Sequence, residues 1–365
     1  MKLQNKYKIA LVGFRLSGGG SDRVMANLSV YFDQMGIEIH IATVIDQLGY
    51  EYKGEVFSTS SLKRNRNGLI GKFNRVVGLY QFFRNNKFDY IIDFRFRTKG
   101  IQEWIIAKYL YNAPAIFTIH SSKTDEYIPQ TKWLAQSMYA GAYRIVAITN
   151  AINDKVFQEQ QLANLSTIYN PVDFVSIDRL MMEPIDLDFQ YIIAVGQLEN
   201  PIKQFDHLIE AYSNSCLKDR QVHLVICGSG HGVSKLEDQV RRYNLEHFVH
   251  FIGYQSNPYK YMEKAKFLVL CSQFEGLPMV LIESLACHTP VVSYDCETGP
   301  REIIIPEENG ILVENQNKIM LQQALDRFVN DRELYNHCKR TARESVKIFE
   351  LEAVGKQWIN LMNLK

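Results

Sequence analysis

Short apolar runs rich in β-branched residues recur along the chain, and each is followed by a longer stretch whose apolar positions return every three or four residues. In the first half the runs are Ile9–Gly13, Ile37–Ile45, Tyr90–Phe94, Ala115–Ile119 and Arg144–Ile148. Runs of this length read as buried strands, and the spacing behind them reads as helix. Strand and helix in alternation predict parallel strands, because parallel neighbours need a long crossover and a helix supplies it. After Asn170-Pro171-Val172-Asp173 comes a polar, acidic stretch, Met182-Glu-Pro-Ile-Asp-Leu-Asp188, and then the pattern starts again. Its second series is Tyr191–Val195, Val222–Cys227, Val249–Ile252, Phe267–Cys271 and Pro290–Tyr294. The expected fold class is therefore α/β, with two doubly wound domains joined near residues 172–188. In such sheets the ligand crevice lies at the carboxyl ends of the strands, and two facing crevices make an interdomain cleft. No internal repeat of roughly 20 to 50 residues is present, which excludes a solenoid.

A length of 365 residues suits two cores of this kind. The net charge of +1 excludes the overall basic imbalance of a nucleic-acid binder. The halves differ, however: residues 1–175 hold 21 Lys and Arg against 14 Asp and Glu, a net of +7, and the remainder has a net of −6. Between Ser61 and Gly100 the basic residues are Lys63, Arg64, Arg66, Lys72, Arg75, Arg84, Lys87, Arg95, Arg97 and Lys99, against only Asp89 and Asp93. Residues Gly68–Phe83 combine some of these with helical apolar spacing. A basic amphipathic helix can rest on an anionic membrane, at about 1 kcal/mol per basic residue near the surface. The same pattern also describes an ordinary α/β helix that buries one face, and by frequency that reading leads. Peripheral contact with an anionic membrane through residues 63–99 is thus an expectation.

The start, Met1–Lys8, is polar and has no signal-peptide apolar region, and no window reaches the roughly 18 apolar residues of a spanning helix. A cytoplasmic protein is expected, peripheral at the inner face of the plasma membrane. All six cysteines lie in the second half with no C-x-x-C pair, so buried reduced thiols are expected rather than a zinc site or a disulfide framework.

Two segments carry candidate chemistry. Ser17-Gly-Gly-Gly-Ser-Asp-Arg-Val24 follows the first strand and precedes helical spacing over Met25–Met35. Consecutive glycines admit a ligand to the backbone, and a helix N-terminus offers free N–H groups to an anion. The segment is neither G-x-G-x-x-G nor a P-loop, which disfavours a dinucleotide enzyme and an ATPase; a tight strand-to-helix turn is the competing reading. The second segment, Cys271-Ser-Gln-Phe-Glu275-Gly276-Leu-Pro278-Met-Val-Leu-Ile-Glu283-Ser-Leu-Ala-Cys287, ends a strand, turns at Gly-x-Pro and opens an apolar helix. Pro278 can begin that helix without losing a useful donor. Glu275 falls in the turn, Glu283 about two turns into the helix, and the amides of Leu277–Val280 form an anion site. Taken alone, Glu275 would be a helix-dipole partner and Glu283 a solvated surface residue.

These residues resemble glycosyltransferase family 4, of GT-B fold, whose Glu-x7-Glu motif Glu275 and Glu283 match. Ser17–Val24 is similar to the family's Gly-Gly-Ala-Glu-Arg-Val loop, and Ile119-His120 to its cleft histidine. Tyr169-Asn-Pro-Val-Asp173 resembles the interdomain Asn-Pro-Val-Asp, Val195–Lys203 the Gly-Arg-Leu…Lys-Gly donor-phosphate motif, and Glu297–Ile304 the Ser/Thr-Gly-Pro-x-Glu-Ile-Ile segment. In pattern the chain is most similar to amylovoran and exopolysaccharide-type galactosyl or N-acetylhexosaminyl transferases. The resemblance implies an acceptor-binding domain, residues 1–175, closed by a terminal helix within 346–365, and a nucleotide-sugar-binding domain, residues 176–345.

It also implies a retaining hexosyltransferase. The donor would be a UDP-sugar, and the acceptor polyprenyl-linked or an oligosaccharide of a surface polysaccharide. Catalytic residues carried over are Glu275, His120 and Lys203. Donor-binding residues are Gly19, Gly20, Gly196, Gln197, Lys203, Gly276, Leu277, Pro278, Met279, Val280, Glu283 and Arg301. By the same likeness Glu283 would bond the ribose, Glu275 the sugar hydroxyls, and His120 the sugar near its 6-position. No metal or other cofactor is implied, and Asp186-Leu-Asp188 is assigned to solvent because it precedes a strand. Two positions depart from the pattern. Gln197 replaces the usual Arg, leaving the diphosphate charge to Lys203 alone or shared with Arg301 or helix amides. Gln204 replaces the Gly after Lys203, which challenges the loop geometry. Same-fold alternatives are an epimerase or phosphorylase, or a nucleotide-sugar-binding protein impaired by Gln197.

Overall fold

The apolar runs of the first half form a seven-stranded sheet, and those of the second half a six-stranded one. Residues 3–60, 69–199 and 201–365 are described by the computed structural model of the chain. It divides into two units, one built from Met1–Pro171 and Leu351–Lys365, the other from Val172–Glu350.

In the first unit the strands are β1 (Lys8–Gly13), β2 (Glu38–Thr43), β3 (Glu55–Ser58), β4 (Tyr90–Asp93), β5 (Ala115–Ile119), β6 (Arg144–Ala147) and β7 (Leu165–Thr167). They pair in parallel in the order β3-β2-β1-β4-β5-β6-β7. The second unit has β8 (Gln190–Val195), β9 (Val222–Cys227), β10 (Val249–Phe251), β11 (Leu268–Leu270), β12 (Val291–Asp295) and β13 (Gly310–Glu314), in the parallel order β10-β9-β8-β11-β12-β13. Each sheet reverses its winding once, between β1 and β4 and between β8 and β11. A ligand crevice opens at such a reversal, because the helices after the two central strands leave on opposite faces. The strands that periodicity did not reveal, β3, β7 and β13, all lie at sheet edges. An edge strand is solvated on one side and needs no continuous apolar run; in β7 every residue is only half-buried.

The helix after the first strand is α1 (Gly20–Gln34), which begins five residues earlier than the spacing over Met25–Met35 suggested. Gly19 is its N-cap, and the Asp22 carboxylate accepts from the Gly19 N–H at 3.2 Å, so the glycines form the helix entry rather than a loop ahead of it. The polar stretch read as a joint is also more ordered than expected. Asp173 caps a helix Phe174–Met181 by accepting from the Ser176 N–H at 3.1 Å. That helix is bound into the second unit through Asp178 to Arg343 at 2.8 Å and Asn257 to the Leu180 carbonyl at 2.8 Å. Asp186 and Asp188 are exposed.

The final helix, Leu351–Leu361, places Val354 and Trp358 in the first unit's core beside Ile9, Leu11 and Phe32. Tyr90 and Tyr143 donate to the Met362 and Leu361 carbonyls at 2.7 and 3.0 Å and hold its end. Gly355 is needed there, since a Cβ would sit 2.3 Å from the Tyr31 ring.

The basic segment of the first unit is corrected in one respect. Arg95 and Arg97 are buried, at 9% and 1% exposure, and face the protein interior rather than a membrane. The helical spacing of Gly68–Phe83 is realised as α2 (Leu69–Asn85), whose Phe82 and Phe83 enter a core with Phe88 and Ile91. Lys63, Arg64 and Arg66 lie outside the described residues. Among the described residues no helix is long and apolar enough to cross a membrane. Five of the six cysteines are buried, Cys216 is half-buried, and all carry free thiols.

Candidate active site

In the second unit the candidate residues collect where β8 and β11 end. Beyond β8 the chain passes Gly196 and the exposed Gln197, forms a short turn Pro201–Lys203, and enters the helix Phe205–Ser213. Gly196 lets this loop close on itself: a Cβ there would lie 3.3 Å from the Phe205 ring and 3.5 Å from the Lys203 side chain. Gln204 adopts φ 47°, ψ 46°, the left-handed conformation that glycine takes without cost. The departure from glycine thus leaves the turn intact. The strain, about 1–2 kcal/mol for a residue with a Cβ, is opposed by mutual amide hydrogen bonds between Gln204 and Gln316 at 2.6 and 2.7 Å.

Beyond β11, the Gln273 N–H donates to the Ile202 carbonyl at 2.8 Å and so joins the two loops. Two residues further on, Glu275 accepts from Lys203: Nζ to Oε1 is 2.6 Å, with both side chains mostly shielded from solvent. The pair sets one cation and one carboxylate, 72 positions apart in sequence, at the end of the sheet. Pro278 caps the helix Met279–Ala286 in an extended conformation, which leaves that helix's first amides free of intrahelical partners. The segment Glu297–Arg301 supports the turn from behind. Thr298 Oγ1 donates to the Glu275 carbonyl, and Gly299 (φ 93°) packs so closely that a Cβ would lie 2.5 Å from Pro278. Arg301, counted among the phosphate ligands, is well exposed and pairs with Asp295 through Nε to Oδ1 at 2.9 Å and a second contact from Nη2. Glu283 sits on the helix and accepts from the Tyr259 hydroxyl at 3.2 Å.

Two participants were not foreseen. Tyr259 carries no sequence motif. The loop Gly228-Ser-Gly-His-Gly232 does: it repeats the strand-then-glycine signature already noted behind β1. A Cβ at Gly228 would lie 1.9 Å from the Gly196 carbonyl and one at Gly232 2.2 Å from that of Leu198, so these glycines seat the β8 loop.

In the first unit Gly19 and Gly20 begin α1, and nothing lies within 4 Å of a Cβ placed on Gly20. Arg15, a further residue that went unnoticed, reaches back over Gly18 and pairs with Asp22 at 3.3 Å. His120 follows β5. Its Nε2 is 2.9 Å from Thr118 Oγ1, and that hydroxyl spends its only hydrogen on the Asp93 carbonyl at 3.1 Å. With Thr118 accepting from His120 the proton sits on Nε2. Nδ1 is buried. Burial drives the His120 pKa down to about 3, the Arg97 cation adds to this, and the Asn170 side chain opposes it. Two results are expected. In NMR titrations the His120 ring signals stay fixed between roughly pH 5 and 8, where a free histidine with a pKa of about 6.5 would move. Because the unfolded chain binds this proton more readily, its contribution to stability is complete above about pH 6.5 and declines as pH falls below it. A His120 titration midpoint near neutrality would refute both.

Two families match the chain. "Glycosyltransferase Family 4" covers residues 18–175 and "Glycosyl transferases group 1" residues 182–345. Among curated proteins, an N-acetylgalactosaminyltransferase of Campylobacter jejuni, named for an N-acetylgalactosamine-N,N'-diacetylbacillosaminyl-diphospho-undecaprenol acceptor, is 28% identical over 96% of this chain and 97% of its own. The amylovoran biosynthesis glycosyltransferase AmsD of Erwinia amylovora is 22% identical over 98% of this chain and all of its own. Among solved structures, HepE of Anabaena in complex with UDP superimposes with a TM-score of 0.79 at 18% identity, over 98% of this chain and 99% of that one. TarM does so at 0.77 and 18%, with the same coverage. With both halves matched in order and with two doubly wound parallel sheets of the GT-B type, the chain belongs to the family 4, group 1 glycosyltransferases.

Proposed function

We propose that the protein transfers a hexose or N-acetylhexosamine, with retention, from a UDP-sugar to a lipid-linked acceptor in the biosynthesis of a surface glycan, working at the cytoplasmic face of the membrane. The observation that carries the donor half is the Lys203–Glu275 pair at the β8/β11 winding reversal. A diphosphate leaving group develops negative charge, and a fixed cation beside free helix amides stabilises it without reorganisation. Lys203 with the amides of Gly276–Val280 fills this role, and since Arg301 is already paired with Asp295 its share is the lesser. Glu275, held by Lys203, has carboxylate lone pairs left for sugar hydroxyls, and Glu283 serves the ribose. In the first unit His120 serves the sugar near its 6-position, a role that rests on the family resemblance.

With the diphosphate itself as base, retention needs no protein nucleophile. The acceptor oxygen bonds to the anomeric carbon as the bond to the diphosphate oxygen breaks on the same face, and the departing oxygen takes the hydroxyl proton. The charge is carried by protein groups, so the reading is metal-free. The acceptor class is supported by the named acceptor of the Campylobacter relative, and the donor by the UDP complex of HepE.

A thermal-shift panel with UDP, GDP, ADP and their sugar conjugates, each with and without chelator, tests the donor. Saturation at 100 times the dissociation constant stabilises by about 2.7 kcal/mol. A chelator-insensitive shift confined to UDP compounds is expected; a shift requiring metal, or none with any nucleotide, rejects the donor assignment. Release of free UDP without acceptor would favour the epimerase reading over transfer.

A further inference from the structure

The first unit contains a cavity of about 640 Å³ where β1, β2 and β4 end, walled by α2 and by α3 (Gly100–Ile105). The cavity opens to solvent, and its volume is in the range of ligand sites. Among the described residues its lining is dominated by aliphatic side chains, including Val76 and Leu79 of α2 and Ile101 and Ile105 of α3, with no aromatic ring. Ile101, Ile105 and Val76 are also exposed on the surface around it, at 71%, 42% and 51%. A sugar would find neither an aromatic platform nor enough hydrogen-bonding groups on such walls. A hydrocarbon chain would find mostly aliphatic walls.

Six polar side chains break the apolar surface: Thr43, Thr59, Arg75, Arg95, Lys99 and Gln102. Arg75 and Lys99 line it, and among the described residues neither is paired with a carboxylate, whereas the third cation of the lining, Arg95, is bound to Asp93 and Glu103. Thr43, 1% exposed, lines it too, and its buried hydroxyl has no hydrogen-bond partner. A buried hydroxyl without a partner is destabilising, and a ligand oxygen would satisfy it. Mostly apolar walls with two cations that lack a carboxylate partner, Arg75 donating only to the Gly71 carbonyl at 3.2 Å, and a waiting hydroxyl describe an amphiphile whose anionic group adjoins its hydrocarbon.

We propose that this cavity holds the phosphate-proximal part of the prenyl chain of a lipid-linked acceptor, with Arg75, Lys99 and Thr43 on the phosphate. The inference rests on the lipid-acceptor reading and deepens it by giving the lipid its own site. Along α2, Phe82 and Phe83 pack into the core, Leu79 borders both that core and the cavity, and Arg75 and Val76 line the cavity.

The test measures binding of farnesyl diphosphate, with inorganic diphosphate and farnesol as separate arms, by calorimetry on the full chain. The wild type should bind the prenyl diphosphate at least about tenfold more tightly than either part alone, because only the whole molecule satisfies both walls and cations. Ile105→Trp, which fills the cavity from an exposed position, and Lys99→Glu should each weaken it about tenfold, with the UDP thermal shift and the melting midpoint unchanged. Equal binding of diphosphate alone, or unchanged affinity in both variants, overturns the site. Lipid-free oligosaccharide competing for the cavity also overturns it. Sugar transfer to a prenyl-linked acceptor that is unaffected by Ile105→Trp would overturn this site while leaving the proposed function standing. Tight prenyl diphosphate binding that is lost in the variants, without any transfer, would do the reverse.

Discussion

Replacing Lys203 by Ala is expected to lower turnover by about 10²–10³, the usual effect of removing one preorganised donor from a developing negative charge. The pair it forms with Glu275 is 2.6 Å long but a quarter exposed on the lysine side, so its loss should cost only about 1 kcal/mol of stability. Activity and melting midpoint are therefore expected to part company. Glu275→Ala should show a similar loss of turnover. The double variant should fall well short of the product of the two, because each single substitution already dissolves the same ion pair. Arg301→Ala provides the contrast. Its guanidinium is exposed and committed to Asp295, so a loss of less than about tenfold is expected, below the range for a dedicated donor. Steady-state kinetics on the four proteins decides the matter. Near-wild-type turnover in Lys203→Ala would remove the lysine from the mechanism, and an Arg301 effect equal to that of Lys203 would move the diphosphate toward Arg301.

The largest loss of stability is expected from Arg97→Met. Arg97 is almost wholly buried, and its guanidinium donates to the carbonyls of Tyr127 at 3.0 Å, Arg95 at 2.8 Å and Thr118 at 2.6 Å, and to the Tyr139 hydroxyl at 2.9 Å. The rings of Phe117 and Tyr127 lie 5.4 Å from it. Next to it Asp93 accepts from Arg95 at 2.7 and 3.0 Å and from Tyr111 at 2.6 Å, and Arg95 also meets Glu103 at 3.1 Å. Two buried cations thus face two buried carboxylates. Methionine fills the volume but removes the donor to these carbonyls and to that of Asp93 at 3.4 Å, and it unbalances the cluster, a loss of about 3–5 kcal/mol. For a unit of this size that lowers the melting midpoint by about 10 °C. Lysine should rescue little, since one ammonium cannot span carbonyls that a planar fork reaches together.

The same cluster sets an acid limit. Burial alone would raise the Asp93 carboxyl, but Arg95 and Arg97 outweigh it and hold the group below the usual carboxylate range. Its contribution to stability is thus present above about pH 4 and is lost as pH falls through the lowered value. A wild-type midpoint indifferent to acid below pH 4, or an Arg97→Met protein as stable as the wild type, would show that the cluster is not under this tension.

Much of the fold was legible in the chain itself. Strand-helix alternation is a local pattern, and it carried the two doubly wound sheets, most of their strands and the site segments at the strand ends. Glu275, Glu283, Lys203 and the glycine turns were visible for the same reason, since each belongs to a short motif behind an apolar run. Other features were decided by contacts between residues far apart in sequence. The carboxylate that Lys203 meets is one such feature, and the amide partner of Gln204 that sustains a glycine-like turn is another. Arg95 and Arg97 show the limit most plainly. In sequence they are two more positive charges in a basic stretch, and nothing local tells them from Arg75 or Lys99. Burial and pairing separate them: Asp93 is two residues away and could have been suspected, but Glu103, Tyr111, Thr118, Tyr127 and Tyr139 arrive only when β4, β5 and the helices around them pack. A charge becomes an internal brace or a free ligand for phosphate according to what surrounds it, and those surroundings are made by the tertiary structure.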